Sequence, residues 1–67
     1  MARAFIGAAE CRVTVDRDLG ESWAVAVYPA NGDRPLIVKL QGNDKAAITA
    51  GALEILQKQG HIDRFEA

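Results

Sequence analysis

Residues 10–16 alternate strictly between two sides, with Cys11, Val13 and Val15 on one and Arg12, Thr14 and Asp16 on the other. Successive side chains of an extended chain point to opposite faces, so a period of two predicts a strand with one face buried. Upstream, Phe5 shares the odd parity of the apolar side while Ile6 breaks it, so residues 1–8 read as an arm or an extension of this strand that Gly7 bulges or bends. Residues 17–21 are polar around Gly20 and suit a short hairpin loop. Residues 22–28 give the next strand, with Trp23, Val25 and Val27 on one side, Ala24, Ala26 and Tyr28 on the other, and a charge on neither. Pro29 then removes a backbone donor, and Asn31-Gly32 is the dipeptide that best tolerates the positive φ angles of a tight hairpin turn. Pro35 closes the loop before residues 36–40, a third strand with Leu36, Val38 and Leu40 together.

The period changes after Gly42. Asn43 or Asp44 can accept the free amide hydrogens of a helix start, and the acid also suits the positive end of the helix dipole. Wound at 3.6 residues per turn, the chain to about Gln59 places Ile48, Ala52, Ile55 and Leu56 on one stripe, Leu53 at its margin, and Glu54, Gln57 and Lys58 opposite. Gly60 is the expected left-handed stop, Ile62 stands where a residue past the cap packs back, and Phe65 in the tail, residues 61–67, can cover a core edge. The predicted architecture is α+β: a three-stranded antiparallel sheet packed on one C-terminal helix, in the order βββα. One helix covers one face of a sheet. The other face then presents Arg12, Thr14, Ala24, Ala26, Tyr28, Ile37 and Lys39, with an apolar central strand. Such a patch is a candidate interaction face.

At 67 residues the chain supports a single domain, residues 1–67. Burying about 3,800 Å² of apolar surface at ~25 cal/mol per Å² gives roughly 95 kcal/mol. Ordering every residue at ~1.5 kcal/mol costs about 100 kcal/mol, so the monomer is marginal and self-association or a partner is expected. Eight basic and nine acidic residues are dispersed, for a net charge of −1, which leaves no electrostatic footprint for nucleic acid or an acidic membrane. A single cysteine cannot form an internal disulfide; with no signal-like core in the Ala-rich start, a reducing cytoplasm is expected. No run approaches the ~20 apolar residues that span a bilayer.

Catalytic and metal chemistry finds no constellation. Cys11 shares the inward parity of Val13 and Val15, so it reads as a buried thiol rather than a nucleophile. His61 has no second ligand at a diagnostic spacing and reads as a surface residue. Asp16, Asp18 and Glu21 imitate the start of a calcium loop, but Gly20 and Glu21 occupy the fifth and sixth positions and Val27 stands where a bidentate glutamate is required. The glycines occur singly, with no phosphate-cradling run. Trp23 and Tyr28 could stack on bases, yet only Arg12, Lys39 and Arg34 accompany them. Asn43-Asp44-Lys45 stands where a double-stranded-RNA-binding domain would open its helix with a lysine cluster. No enzyme activity, cofactor or metal is expected.

Glu21-Ser22-Trp23-Ala24-Val25-Ala26-Val27, then a third strand, Gly42-Asn43-Asp44 and the Ala-rich helix through Leu53 and Leu56, resemble the HicB-like antitoxin domain. The chain is also similar to small bacterial βββα domains of unknown function whose helix ends in a stop like Lys58-Gln59-Gly60. Residues 29–35 replace the Pro-containing, Gly-Cys-ending segment typical of HicB, and a DNA-binding extension is not expected. The resemblance implies the fold and a tendency to dimerise. The expected function is a non-enzymatic protein-interaction module, homodimeric or bound to another protein through the open sheet face or an edge strand. The alternative is a nucleic-acid-binding domain of double-stranded-RNA-binding-like or HicB-like topology.

Overall fold

A computed structural model of the chain describes residues 2–66. The elements are β1 (Arg3–Ile6), β2 (Ala9–Arg17), β3 (Ser22–Tyr28), β4 (Leu36–Gln41), α1 (Lys45–Lys58) and β5 (Arg64–Glu66). One antiparallel sheet carries a single C-terminal helix, as the hydrophobic pattern predicts, but the sheet has five strands in the order β4-β3-β2-β1-β5. The two strands beyond the predicted three come from the segments read as an arm and a tail. Their outermost residues, Met1 and Ala67, lie outside the described residues.

Gly7 does not bulge a continuous strand; it reverses the chain. Ile6 pairs with Ala9, so Gly7 and Ala8 form a two-residue turn, and the positive φ of 60° falls on Gly7 alone. Glycine at the first central position is the demand of a type II′ hairpin, whose twist matches that of the strands it joins. The reversal also changes the parity. Ala4 lies opposite Cys11 on the helix side, whereas Phe5 lies opposite Glu10 and turns to the reverse face, against the expectation that it shares the side of Cys11.

The β2–β3 hairpin closes as predicted, with the Asp18 N–H donating to the Ser22 carbonyl at 2.8 Å. The β3–β4 hairpin also forms, with Val25 opposite Val38, but its turn is not an Asn-Gly tight turn. The Gly32 N–H donates to the Pro29 carbonyl at 3.2 Å, and among the described residues no non-glycine has positive φ, so Asn31 stays on the ordinary side of the map. Its side chain instead accepts the Asp33 N–H at 3.0 Å, an Asx turn that organises the wider loop between the two prolines.

Asp44 caps α1, its carboxylate accepting the Ala46 N–H at 3.0 Å and the Ala47 N–H at 3.4 Å. At the other end, the Gly60 N–H reaches the Gln57 carbonyl at 3.0 Å and the His61 N–H reaches Leu56 at 2.9 Å, the paired bonds of a Schellman stop. Gly60 carries the left-handed φ of 81° that this motif requires. The chain then plugs Ile62 into the core at 2% exposure. Asp63 fastens the return to β1: its N–H donates to the Phe5 carbonyl at 2.8 Å and its carboxylate accepts the Gly7 N–H.

Two clusters form the layer between helix and sheet. One joins Ala4, Cys11, Val27, Leu53, Leu56 and Ile62, with Phe65 packed against it; the other joins Trp23, Val25, Ile48 and Ala52. The helix stripe is rotated from the predicted one. Leu53 is fully buried, while Ile55 is only half-buried. β1 and β5 supply the reason, since they extend the sheet under the flank of α1 that carries Leu53 and leave Ile55 on the other margin.

Candidate interaction surface

The register brings the predicted open-face residues into adjacent rows. Arg12 stands opposite Tyr28; Thr14, Ala26 and Ile37 make the next row; Asp16, Ala24 and Lys39 make the one after. Among the described residues α1 is the only helix, and its buried residues pack on the other face. The reverse face is therefore covered only by its own side chains. Ile37 remains 58% exposed, the feature that most distinguishes this surface, because burying it would remove a large apolar side chain from water.

Arginines roof the aromatic rings of this face. The Arg12 guanidinium sits 4.5 Å from the centre of the Tyr28 ring, and that of Arg64 sits 3.9 Å from Phe5. Phe5 is only 8% exposed in consequence. A stacked arginine holds its charge over the ring quadrupole while its stem shields the ring from water. Lys39 approaches Asp18 at 3.8 Å, with both side chains largely in solvent, so the pair contributes little to stability. Rows of β1 and β5 thus widen the reverse face with Phe5 and Arg64. The sequence pattern missed these two, because the parity of Phe5 is misleading until the turn at Gly7 is recognised.

The remaining candidates occupy separate places. Cys11 is a free thiol at 2% exposure, inside the core. Trp23 is also in the core, and its indole N–H donates to the Gly42 carbonyl at 2.8 Å. Arg17 lies 5.2 Å from its ring at the sheet end. His61 is exposed past the helix stop. Among the described residues no three His, Cys, Asp or Glu side chains gather as a metal site. No helix of the structure is long and apolar enough to cross a membrane.

An open depression of about 280 Å³ lies where β4 runs into α1, lined by Leu40, Gly42, Asp44, Ala47 and Ile48 among others. A helix start can hold an anion through free amides. Here the Asp44 carboxylate already occupies two of them and adds its own negative charge, so the depression suits neither phosphate nor a nucleic-acid backbone.

Comparison with known proteins finds no matching family model, no matching curated protein and no matching solved structure.

Proposed function

We propose that this chain is a non-enzymatic protein-interaction module that works as a homodimer or as a small partner of another protein. The observation that carries the reading is Ile37, 58% exposed on the reverse face of β4, a strand that forms one edge of the sheet and has no neighbour on its outer side among the described residues. Two further features support it. The folded chain exposes 4472 Å². Compact monomers of this size expose about 4,100 Å². The resemblance to HicB-like domains carries the same expectation of dimerisation. A catalytic role is not part of the proposal: the thiol is sealed in the core.

The alternative, a nucleic-acid-binding domain, has less support. Trp23 is committed to the core and to Gly42, Tyr28 lies beneath Arg12, and the helix start carries an aspartate. Size-exclusion chromatography with light scattering tests the proposal. A species of twice the chain mass, or a stoichiometric complex, is expected. A clean monomer at high micromolar concentration that also recovers no partner in a pull-down rejects it. Titration with single- and double-stranded oligonucleotides at low salt is expected to show no binding with a steep salt dependence.

A further inference from the structure

We infer that two copies of this chain join β4 to β4, antiparallel about a twofold axis at Val38, to make one continuous sheet. The inference rests on the proposed interaction role and names both its partner and its edge.

The two edges of the sheet are built differently. β5 is three residues long and two of them are charged, with Arg64 and Glu66 paired at 3.8 Å. Short length and charge are how proteins blunt an edge against further pairing. β4 is twice as long, and its six residues, Leu-Ile-Val-Lys-Leu-Gln, carry a single charge, Lys39.

The hydrogen-bond pattern says which backbone groups that edge offers. The Gly42 N–H donates to the Glu21 carbonyl at 2.9 Å, which fixes these two as a hydrogen-bonded pair. Bonded and non-bonded pairs alternate along an antiparallel ladder, so Leu40, Val38 and Leu36 bond β3. The bond from Asp18 to Ser22 gives the same parity independently, since it commits Ser22, Ala24, Ala26 and Tyr28 to β2. The N–H and C=O groups of Ile37, Lys39 and Gln41 therefore point off the sheet.

One register lets a second copy use the middle of this row and leaves no like charges in direct opposition. Outward residues must face outward residues. Placing Lys39 opposite the partner's Lys39 sets two ammonium groups side by side, which is unfavourable. Placing Ile37 opposite the partner's Ile37 matches Lys39 with the partner's Pro35, which has no N–H to give. Placing Ile37 opposite the partner's Lys39 keeps the two lysines out of direct opposition and moves Pro35 to the end of the ladder, opposite the partner's Gln41, so that Ile37 and Lys39 each exchange N–H and C=O with the other chain. The lysine stem then lies along Ile37, covering the large exposed apolar side chain of the reverse face. On the helix side, Val38 meets the partner's Val38 and Leu36 meets the partner's Leu40. Leu36, Val38 and Leu40 are half-buried against the two core clusters, so the pairing continues the hydrophobic layer. Above Leu40 stands Gly51, where a Cβ would come within 3.7 Å of the leucine, so α1 offers no side chain there to cover the strand. The interface is isologous and closes at two copies, because the opposite edge is blunted.

The test is Lys39→Pro, with light scattering and amide exchange. Proline is tolerated on an edge strand where the N–H faces outward, and here the lost donor serves no bond inside the chain. The wild-type chain is expected to be a dimer in which the Ile37 and Lys39 amides exchange at least tenfold more slowly than on dilution to monomer. K39P is expected to be a monomer with a native circular dichroism spectrum. A K39P dimer of wild-type affinity, or a wild-type dimer with fast-exchanging Ile37 and Lys39 amides, overturns the edge and leaves the interaction role standing. A wild-type monomer at high micromolar concentration overturns the edge pairing, and the interaction role as well when no partner is recovered. The exchange measurement is made on the wild-type chain, so an unfolded K39P protein does not rescue the inference.

Discussion

Single side chains with one dominant chemical duty were the most legible part of this molecule. Asp44 is an acid placed before an apolar run, and it caps α1 as that placement requires. Cys11 follows the parity of Val13 and Val15 into the core. Trp23 combines apolar bulk with one donor, and the structure satisfies both by burying the ring and aiming the indole N–H at Gly42. Trp23→Phe is expected to keep the fold and lower stability by about 1–2 kcal/mol, since it strands a partly buried carbonyl without its donor. Urea unfolding checks this as a lower midpoint with an unchanged slope. Asp44→Ala is expected to cost about 1 kcal/mol by the same measurement, and Asp44→Asn much less, because the amide oxygen still caps. Asn31 was less legible. Its preference for turns is real, but whether it supplies positive φ or a side-chain acceptor depends on loop length, which Pro29 and Pro35 fix at long range.

At the scale of elements, the central hairpins and α1 were readable because each runs long enough to show its period. β1 and β5 were not, for two different reasons. A lone glycine after Phe5 and Ile6 is equally compatible with a bulge and with a reversal, and only pairing across the turn at Gly7 decides between them. β5 has three residues, too few for any alternation to be measured, and it exists because Ile62 and Asp63 deliver the chain to β1. Rotation of the helix stripe toward Leu53 follows from the same omission. That omission also leaves Phe5 and Arg64 out of the expected reverse face, which β1 and β5 widen. Phe65 tests whether β5 belongs to the fold. It stands opposite Ala4 and packs against the larger cluster while remaining half-buried. Phe65→Ala is expected to destabilise by about 2 kcal/mol, below the 3–5 kcal/mol range for fully buried aromatics. A change under about 0.5 kcal/mol in chemical denaturation would show that the strand frays and contributes nothing.

For the whole molecule, the governing fact is a two-layer build with one layer of helix and a longer layer of sheet. The principal extents of 35 × 21 × 19 Å describe a slab, and its surface exceeds that of a compact monomer of equal length. A single helix cannot cover a five-stranded sheet on both faces, so the arginines stacked on Tyr28 and Phe5 do part of that work, and the β4 margin is left with half-buried leucines and valine. If association completes that margin, folding and assembly are one equilibrium and thermal stability must depend on concentration. For two chains unfolding together, each tenfold rise in concentration adds about 1.4 kcal/mol, and the unfolding entropy of a dimer of this size converts that to a rise of about 5 °C in Tm. Scanning calorimetry at 10 and 100 μM total chain is therefore expected to show Tm values separated by about that amount, and K39P is expected to show none. Salt separates this association from an electrostatic one. In the proposed dimer, backbone pairing and apolar contact would hold the two β4 strands together, with their single lysines out of direct opposition. Raising sodium chloride from 0.05 to 0.5 M should then leave the concentration shift intact, whereas an association held by the dispersed charges would lose most of it as the Debye length contracts to several ångströms.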